Sequence, residues 1–293
     1  MSDQGAAADT WATAAPPTCY RHTDRESYIR CQRCDRTICP ECQTPASVGV
    51  HCPECVREAN RSRPQTRTVL GGAVPSGDGA LVTKALIGLC VLSYFLSEYV
   101  QPGLGRDLEM IGYALTNSGE IVGIADGEYW RLVTPVLLHG SLIHLLVNML
   151  SLWFLGPFLE QALGRGRFVM LFVVGAIGGS ALSYALGTPN IPSVGASGAV
   201  FALVGALIPI YRRLNLNVMP VLVMIVINAI FGFSVPNIDW RAHLGGLIIG
   251  AVLGLAFAYA PRERRTLVHV GAVVVVLVVI AVVVVGRTNA LTA

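Results

Sequence analysis

Long apolar segments dominate the chain from residue 81 onward, and they constrain its fold more than any other feature. Each is close to the 20 residues that a helix needs to cross the hydrocarbon layer of a bilayer, about 30 Å thick. They are 82–100, 141–161, 168–186, 197–212, 216–234, 241–260 and 267–286. Hydrophobic residues make up 53% of the chain and charged residues 13%, which is far more apolar than a soluble domain. The sequence therefore predicts an all-α polytopic membrane protein, with six core helices and a seventh added at the carboxyl end.

Arginine is concentrated in alternate connections between these segments, which predicts how the chain is oriented. The two outer connections 187–196 and 234–239 contain neither Lys nor Arg. The arginines of the opposite side are Arg57, Arg61, Arg63, Arg67, Arg165, Arg167, Arg212, Arg213, Arg262, Arg264 and Arg265. Basic residues in short connections favour the cytoplasmic side. We therefore expect a multi-pass protein of the plasma (inner) membrane, with a cytoplasmic amino terminus and the carboxyl terminus outside. The chain opens without the apolar core of a secretory signal, which gives the same expectation.

Composition divides the chain into five parts. We expect a disordered amino terminus at 1–18, a zinc-binding domain at 19–56 and a flexible linker at 57–80, rich in Arg, Pro, Ser and Gly. The six-helix core follows at 81–260, and the seventh helix with its tail occupies 261–293. The connection 101–140 is too long for a simple turn, so we expect it to be ordered at the membrane interface.

Few polar side chains interrupt the apolar segments, and such residues are functional candidates. His144 and Asn148 are four residues apart, on one face of a helix. Because segments two, four and six all run inward, His144, Ser197 and His243 are expected at a similar depth. A serine becomes nucleophilic when a base within hydrogen-bond reach takes its proton, which favours Ser197 with His243. Two simpler interpretations stay open: Ser197 as a helix cap, and His144 with Asn148 as a hydrogen bond between helices.

Small residues on two segments predict close helix packing. Gly246, Gly250 and Gly254 recur every four residues in segment six. Segment four offers small residues that match this strip, namely Gly198, Ala202 and Gly205. Close contact between these two helices would bring His243 to Ser197.

Four motifs together resemble the rhomboid intramembrane serine proteases. They are "EYWR" at 128–131, "HGSLIHLLVN" at 139–148, "GASG" at 195–198 and "AHLGG" at 242–246. The resemblance implies a serine endopeptidase that cleaves transmembrane segments of other membrane proteins near the outer face. Its catalytic groups would be a Ser197–His243 dyad and an oxyanion site of His144 and Asn148.

The same resemblance implies supporting roles for further residues. Phe201 would pack on His243, one turn after the serine. The other supporting residues are His139, Glu128, Trp130, Arg131, Gly246 and Gly250. An alternative is a non-catalytic adaptor of the same fold that binds transmembrane clients.

Seven of the eight cysteines lie between residues 19 and 55, in four C-x-x-C or C-x-x-H pairs. The pairs are Cys19 with His22, Cys31 with Cys34, Cys39 with Cys42 and Cys52 with Cys55. Eight such donors in a reducing compartment favour two structural zinc ions over disulfides. The spacing resembles B-box and RING-related fingers, which implies that alternate pairs share a metal. Sequential pairing, and His51 in place of Cys52, stay open. The basic surface of this head is consistent with a cytosolic protein partner or anionic lipid, and no basic stripe typical of nucleic-acid binding is evident.

Overall fold

The computed structural model divides the chain into two compact units, Met1–Gln65 and Thr66–Ala293. The boundary falls inside the predicted linker. Of the segment predicted to be disordered, residues 1–14 lie outside the described part of the chain. The described residues are 15–62, 67–74, 77–101, 103–116, 118–234 and 238–293.

The first unit is a small cysteine-rich fold. Strands β1 (Thr44–Pro45) and β2 (Val50–His51) pair antiparallel, and helix α1 (Pro53–Ser62) follows. The core consists of the head's cysteines around Ile38, which is fully buried. Because α1 continues to Ser62, the first residues of the predicted linker are helical.

The second unit contains the apolar helices in the predicted order. They are α2 (Leu81–Phe95, continued by a π-helical turn at Leu96–Val100), α4 (Leu142–Leu163), α5 (Arg165–Leu186), α6 (Ser197–Arg213), α7 (Met219–Ser234), α8 (Trp240–Tyr259) and α9 (Arg265–Thr292), with the short α3 (Gly103–Leu108) after α2. Five of these regions are long and apolar enough to cross a membrane. The predicted all-α polytopic fold is therefore confirmed, although α6 and α7, with 17 and 16 residues, are shorter.

The described residues of the connection between α2 and α4 are folded, as predicted for this connection. It contains α3 and a hairpin of β3 (Ala114–Leu115) and β4 (Ile121–Val122). Arg131 is buried here: its Nε donates to Glu128 at 2.7 Å, and its NH1 donates to the carbonyls of Arg106 and Glu109 at 2.8 Å. Trp130 Nε1 donates to the Asp107 carbonyl. The "EYWR" motif thus holds the folded connection together.

Helix α6 lies at the centre of the second unit, and almost every residue from Gly198 to Ile210 is buried. The helix that packs most closely against α6 is α8, as the glycine strip predicts. A Cβ at Gly246 would lie 1.9 Å from the Gly198 carbonyl oxygen, and one at Gly250 would lie 2.0 Å from that of Ala202. Only glycine allows the backbones to approach this closely.

Part of the predicted flexible linker is packed against the second unit. Thr68 Oγ1 donates to the carbonyl of Ala162 at 2.7 Å, which satisfies a carbonyl in the last turn of α4. Arg167 donates to the carbonyls of Leu70 and Gly71, and the Leu70 side chain is buried. Residues of the 67–73 stretch are therefore held by helix-end hydrogen bonds and by a buried apolar side chain. Flexibility of the linker as a whole stays a prediction. Residues 63–66 and 75–76 of that segment lie outside the described residues.

Candidate active site

Ser197 is the first residue of α6, and the chain that leads to it is anchored by neighbouring backbone. Ser193 and Met110 exchange two backbone hydrogen bonds of 2.9 and 3.0 Å, and Gly195 N donates to the Pro135 carbonyl at 2.9 Å. The folded connection 101–140 thus fixes the entry to α6. The cap position belongs to Ala196, and among the described residues no side chain caps this helix end. The interpretation of Ser197 as a helix cap is therefore not supported.

His243 lies in the first turn of α8, and its ring is stacked on Phe201. The ring centroids are 4.2 Å apart and the planes are inclined by 12°. Phe201 follows Ser197 by one helical turn, and the Ala242 carbonyl lies beside Gly198. The packing of Phe201 on His243 that the sequence led us to expect is present. Both Ser197 and His243 are half-buried, and in this described region no hydrogen bond joins the Ser197 hydroxyl to His243.

The His144 ring faces the same entry loop from α4. A Cβ at Gly195 would lie 2.8 Å from His144 Nε2 and 3.7 Å from Ser197 Oγ, so Gly195 lies between these two groups. Its φ of +131° is a second reason that this position favours glycine. Sequence reasoning missed this role, although the glycine stands within the quoted "GASG".

Asn148 and His139 flank His144. Asn148 is buried and donates one amide hydrogen to the His144 carbonyl at 2.9 Å, which leaves its second hydrogen available. The buried His139 ring meets the His144 ring edge-on at 5.2 Å. Three of the predicted polar residues are therefore grouped on one side of the Ser197 entry loop.

Asp239 is a residue of this region that the sequence analysis missed. Its carboxylate caps α8 by accepting from the N–H groups of Arg241 and Ala242 at 3.2 Å. It also accepts from the hydroxyls of Ser183, on α5, and Ser193, on the loop before Ser197, the latter at 2.7 Å. One carboxylate thus ties together three chain segments around Ser197 and His243. Aspartate before an apolar helix is a cap signal, but the two serine donors are distant in sequence.

A small cavity adjoins Ser197. It has a volume of about 20 Å³ and polar lining groups from Ser180, Ser193 and Ser197. A polar cavity of this size accommodates one water molecule.

The cysteine-rich unit brings its eight predicted donors into two groups of four. In each group the donor atoms lie within 4.8 Å of one another. One group is Cys19, His22, Cys39 and Cys42, and the other is Cys31, Cys34, Cys52 and Cys55. Alternate pairs therefore share a site, and His51 is in neither group.

The distances within these groups fit a tetrahedral ion. Zinc with Zn–S bonds of about 2.3 Å and Zn–N bonds of about 2.05 Å requires S···S separations of about 3.8 Å and N···S separations of about 3.6 Å. Cys34 and Cys52 Sγ are 3.7 Å apart, and His22 Nδ1 lies 3.2 Å from Cys39 and 3.5 Å from Cys42. All eight cysteines are free of disulfides. Each of the two groups of donors can therefore hold one metal ion.

Local hydrogen bonds favour the thiolate form at some of these cysteines, whereas burial, together with hydrogen bonds to neighbouring thiols, raises the pKa of Cys42 to about 11 and also raises the pKa of Cys55. Burial alone would raise the pKa of Cys19, but backbone N–H groups around it have a larger combined effect and lower the pKa to about 6. Cys31 behaves in the same way, with a pKa also lowered to about 6 against the effect of burial. Arg36 Nε donates to Cys34 Sγ at 3.3 Å.

Comparison with known proteins places this geometry in a family. The rhomboid domain model matches residues 126–260. The rhomboid protein YdcA of Bacillus subtilis (strain 168) is 35% identical over 155 residues, which are 51% of this chain and 77% of the relative. The chain belongs to the rhomboid family. As a rhomboid, it is a multi-pass membrane protein.

Longer relatives resemble the same rhomboid region. Rhomboid protease GluP of Bacillus subtilis (strain 168) is 38% identical over 191 residues, 62% of this chain and 36% of the relative. RHOMBOID-like protein 5 of Arabidopsis thaliana is 37% identical over 147 residues, 47% of each chain. The chain therefore spans about a third to a half of the length of these relatives.

Proposed function

We propose that this rhomboid is a serine endopeptidase that hydrolyses peptide bonds of transmembrane segments near the outer face of the membrane. In the proposed reaction Ser197 Oγ attacks the scissile carbonyl carbon while His243 takes the hydroxyl proton. The C–N bond then breaks, and His243 returns the proton to the leaving amine. Water, deprotonated by His243, then attacks the acyl-enzyme carbonyl carbon. The bond from this carbon to Ser197 Oγ breaks, His243 returns the proton to Ser197 Oγ, and the acid is released.

The oxyanion that develops on the carbonyl needs hydrogen-bond donors. We assign this role to the His144 ring, the free amide hydrogen of Asn148 and the backbone N–H of Ser197 at the start of α6. The placement of Gly195 between His144 and Ser197 supports this assignment, because a side chain there would fill the space between them.

The observation that carries the proposal is the stacking of His243 on Phe201. A centroid separation of 4.2 Å between His243 and a residue one turn after Ser197 supports a base close to the serine hydroxyl. The glycine contacts between α6 and α8 fix the same relation through the backbone. In the proposed mechanism the Ser197–His243 hydrogen bond forms when substrate binds, since catalytic hydrogen bonds are often long before that.

We infer the orientation from the arginine distribution: an amino-terminal head in the cytosol and the Ser197 end of α6 near the outer face. In the head, two zinc ions would replace the hydrophobic core that so short a segment lacks. They would have no part in catalysis, and the head would serve a cytosolic protein partner.

Labelling with a serine-directed fluorophosphonate tests the nucleophile without a known substrate. We expect the purified protein to be labelled and Ser197→Ala to abolish labelling. Ser180→Ala is the matched control, because Ser180 lines the same cavity, and it should retain labelling.

The alternative function is a non-catalytic adaptor that binds transmembrane clients. Equal labelling of the wild type and Ser197→Ala, or none of either when both are folded, would reject the nucleophile and favour the adaptor.

A further inference from the structure

A second cavity lies at the opposite end of the core, where α6 and α8 end and α9 begins. Its volume is about 340 Å³, within the usual range for small-ligand pockets. Its lining residues are Arg213, Ala258, Tyr259, Ala260, Pro261, Arg262 and Arg265. Three of these seven residues are arginines, and none is acidic.

These three arginines have no anionic partner within the described residues. The ion pairs found there involve other basic groups, for example Arg131 with Glu128 and Arg165 with Glu160, and none includes Arg213, Arg262 or Arg265. In that same part of the chain, the buried Nε of Arg265 has no hydrogen-bond partner. A cluster of arginines without anionic partners favours an anionic ligand.

Helix ends account for only part of this arrangement. The carboxyl ends of α6 and α8 attract cations, and Arg213 Nε donates to the Ala258 carbonyl at 3.2 Å. That contact accounts for the position of Arg213 alone. The amino end of α9 meets the same cavity, carries partial positive charge and has no side-chain cap. Arg262 and Arg265 at this end add repulsion that an anion would relieve.

The position of the cavity indicates where the anion comes from. Ala258 and Tyr259 are the last residues of α8, which is long enough to span the bilayer, and Ala260 and Pro261 follow directly; α9 leads back into the bilayer. The cavity therefore lies at the level of the lipid headgroups, where the half-exposed Tyr259 ring also fits. Basic pockets between transmembrane helices are suited to phosphate-bearing headgroups.

We propose that this cavity binds the phosphate of an anionic lipid headgroup, through the guanidinium groups of Arg213, Arg262 and Arg265. The α9 amino end would donate further N–H groups to the phosphate. The site is separate from Ser197 and independent of the proposed peptidase activity. It would fix the junction between the core and the seventh helix to one lipid molecule.

The test uses the purified full chain in neutral detergent, titrated with dioctanoyl phosphatidylglycerol and followed by native mass spectrometry. We expect one tightly bound lipid per chain. The double variant Arg213→Gln/Arg262→Gln should bind on the order of 25-fold more weakly, about fivefold for each lost arginine near the anion. The double variant Arg212→Gln/Arg264→Gln is the matched control. It removes the same charge from residues that do not line the cavity, and it should bind within about twofold of the wild type.

Two results would overturn the proposal. Equal weakening in both double variants would show a general surface potential instead of a site. Displacement of the lipid by millimolar inorganic phosphate, with equal occupancy by phosphate alone, would show a site for free phosphate. Thermal melting without lipid checks that each variant is folded.

Discussion

Replacement of Gly246 by alanine tests whether the α6–α8 contact sets the distance between Ser197 and His243. The new Cβ would lie 1.9 Å from the Gly198 carbonyl oxygen, whereas Cβ contacts are essentially never below 3.0 Å. The helices must therefore separate locally by at least 3.0 − 1.9 = 1.1 Å. Gly246 is three residues after His243, and Gly198 directly follows Ser197, so this displacement falls on the proposed dyad.

A misplacement of about 1 Å in a catalytic geometry reduces the rate about 100-fold. Overpacking of this kind also lowers the free energy of unfolding by about 1–3 kcal/mol. We expect Gly246→Ala to be folded, with a lower melting temperature and fluorophosphonate labelling about 100-fold slower than the wild type. The measurements are the second-order labelling rate and the thermal melting midpoint.

Two further glycines provide graded controls. A Cβ at Gly254 would lie 2.7 Å from Ala206 Cα, so the required shift is only about 0.3 Å. Gly254 is about three helical turns after His243, and we therefore expect a small effect of Gly254→Ala on labelling. A methyl group added at Gly271 in α9 would meet no described atom within 4 Å apart from its chain neighbours and the backbone of its own helix, and Gly271→Ala should be unchanged or slightly stabilised. A folded Gly246→Ala that is labelled within twofold of the wild-type rate would show that this contact does not set the spacing of the dyad.

Three other changes have defined outcomes. Asp239→Ala removes the acceptor for the α8 cap and for Ser193, so we expect about 2–3 kcal/mol less stability and slower labelling. Asp239→Asn should retain part of the cap. Equal melting temperatures of the wild type and both variants would contradict this role. Arg131→Lys cannot keep the ion pair and both carbonyl bonds at once, and its melting curve should show a loss of about 1–3 kcal/mol, against no loss for the exposed Arg106→Lys. Elemental analysis should find two zinc ions per chain, one in Cys34→Ser and two in His51→Ala; two ions in Cys34→Ser would exclude this residue as a ligand.

The predicted helices and metal donors could be derived from sequence because both depend on local patterns. An apolar segment long enough to cross a bilayer has few alternatives to a helix. The four C-x-x-C/H pairs likewise supply donors at fixed spacing whatever surrounds them. Which of those donors share a metal ion does not follow from a local pattern. In the folded chain, alternate pairs lie together.

The contacts that the sequence analysis missed join distant parts of the chain. Residues 67–73 have linker composition, but Thr68 and Leu70 are fixed by partners almost 100 residues away. Asp239 has the sequence context of an ordinary helix cap, and its bond to Ser193 depends on how the loop before α6 folds. The same holds for Gly195, whose closeness to His144 follows from the packing of α4 beside that loop.

The polytopic helical architecture, the small-residue strips and the cysteine donors were all evident in the sequence, since each follows from hydropathy or spacing along one segment. Other contacts became known only from the folded chain: Gly195 beside His144, Asp239 between three segments and the arginines around the second cavity. These contacts depend on helix rotation and separation, which backbone packing at a few glycines fixes and no local pattern encodes.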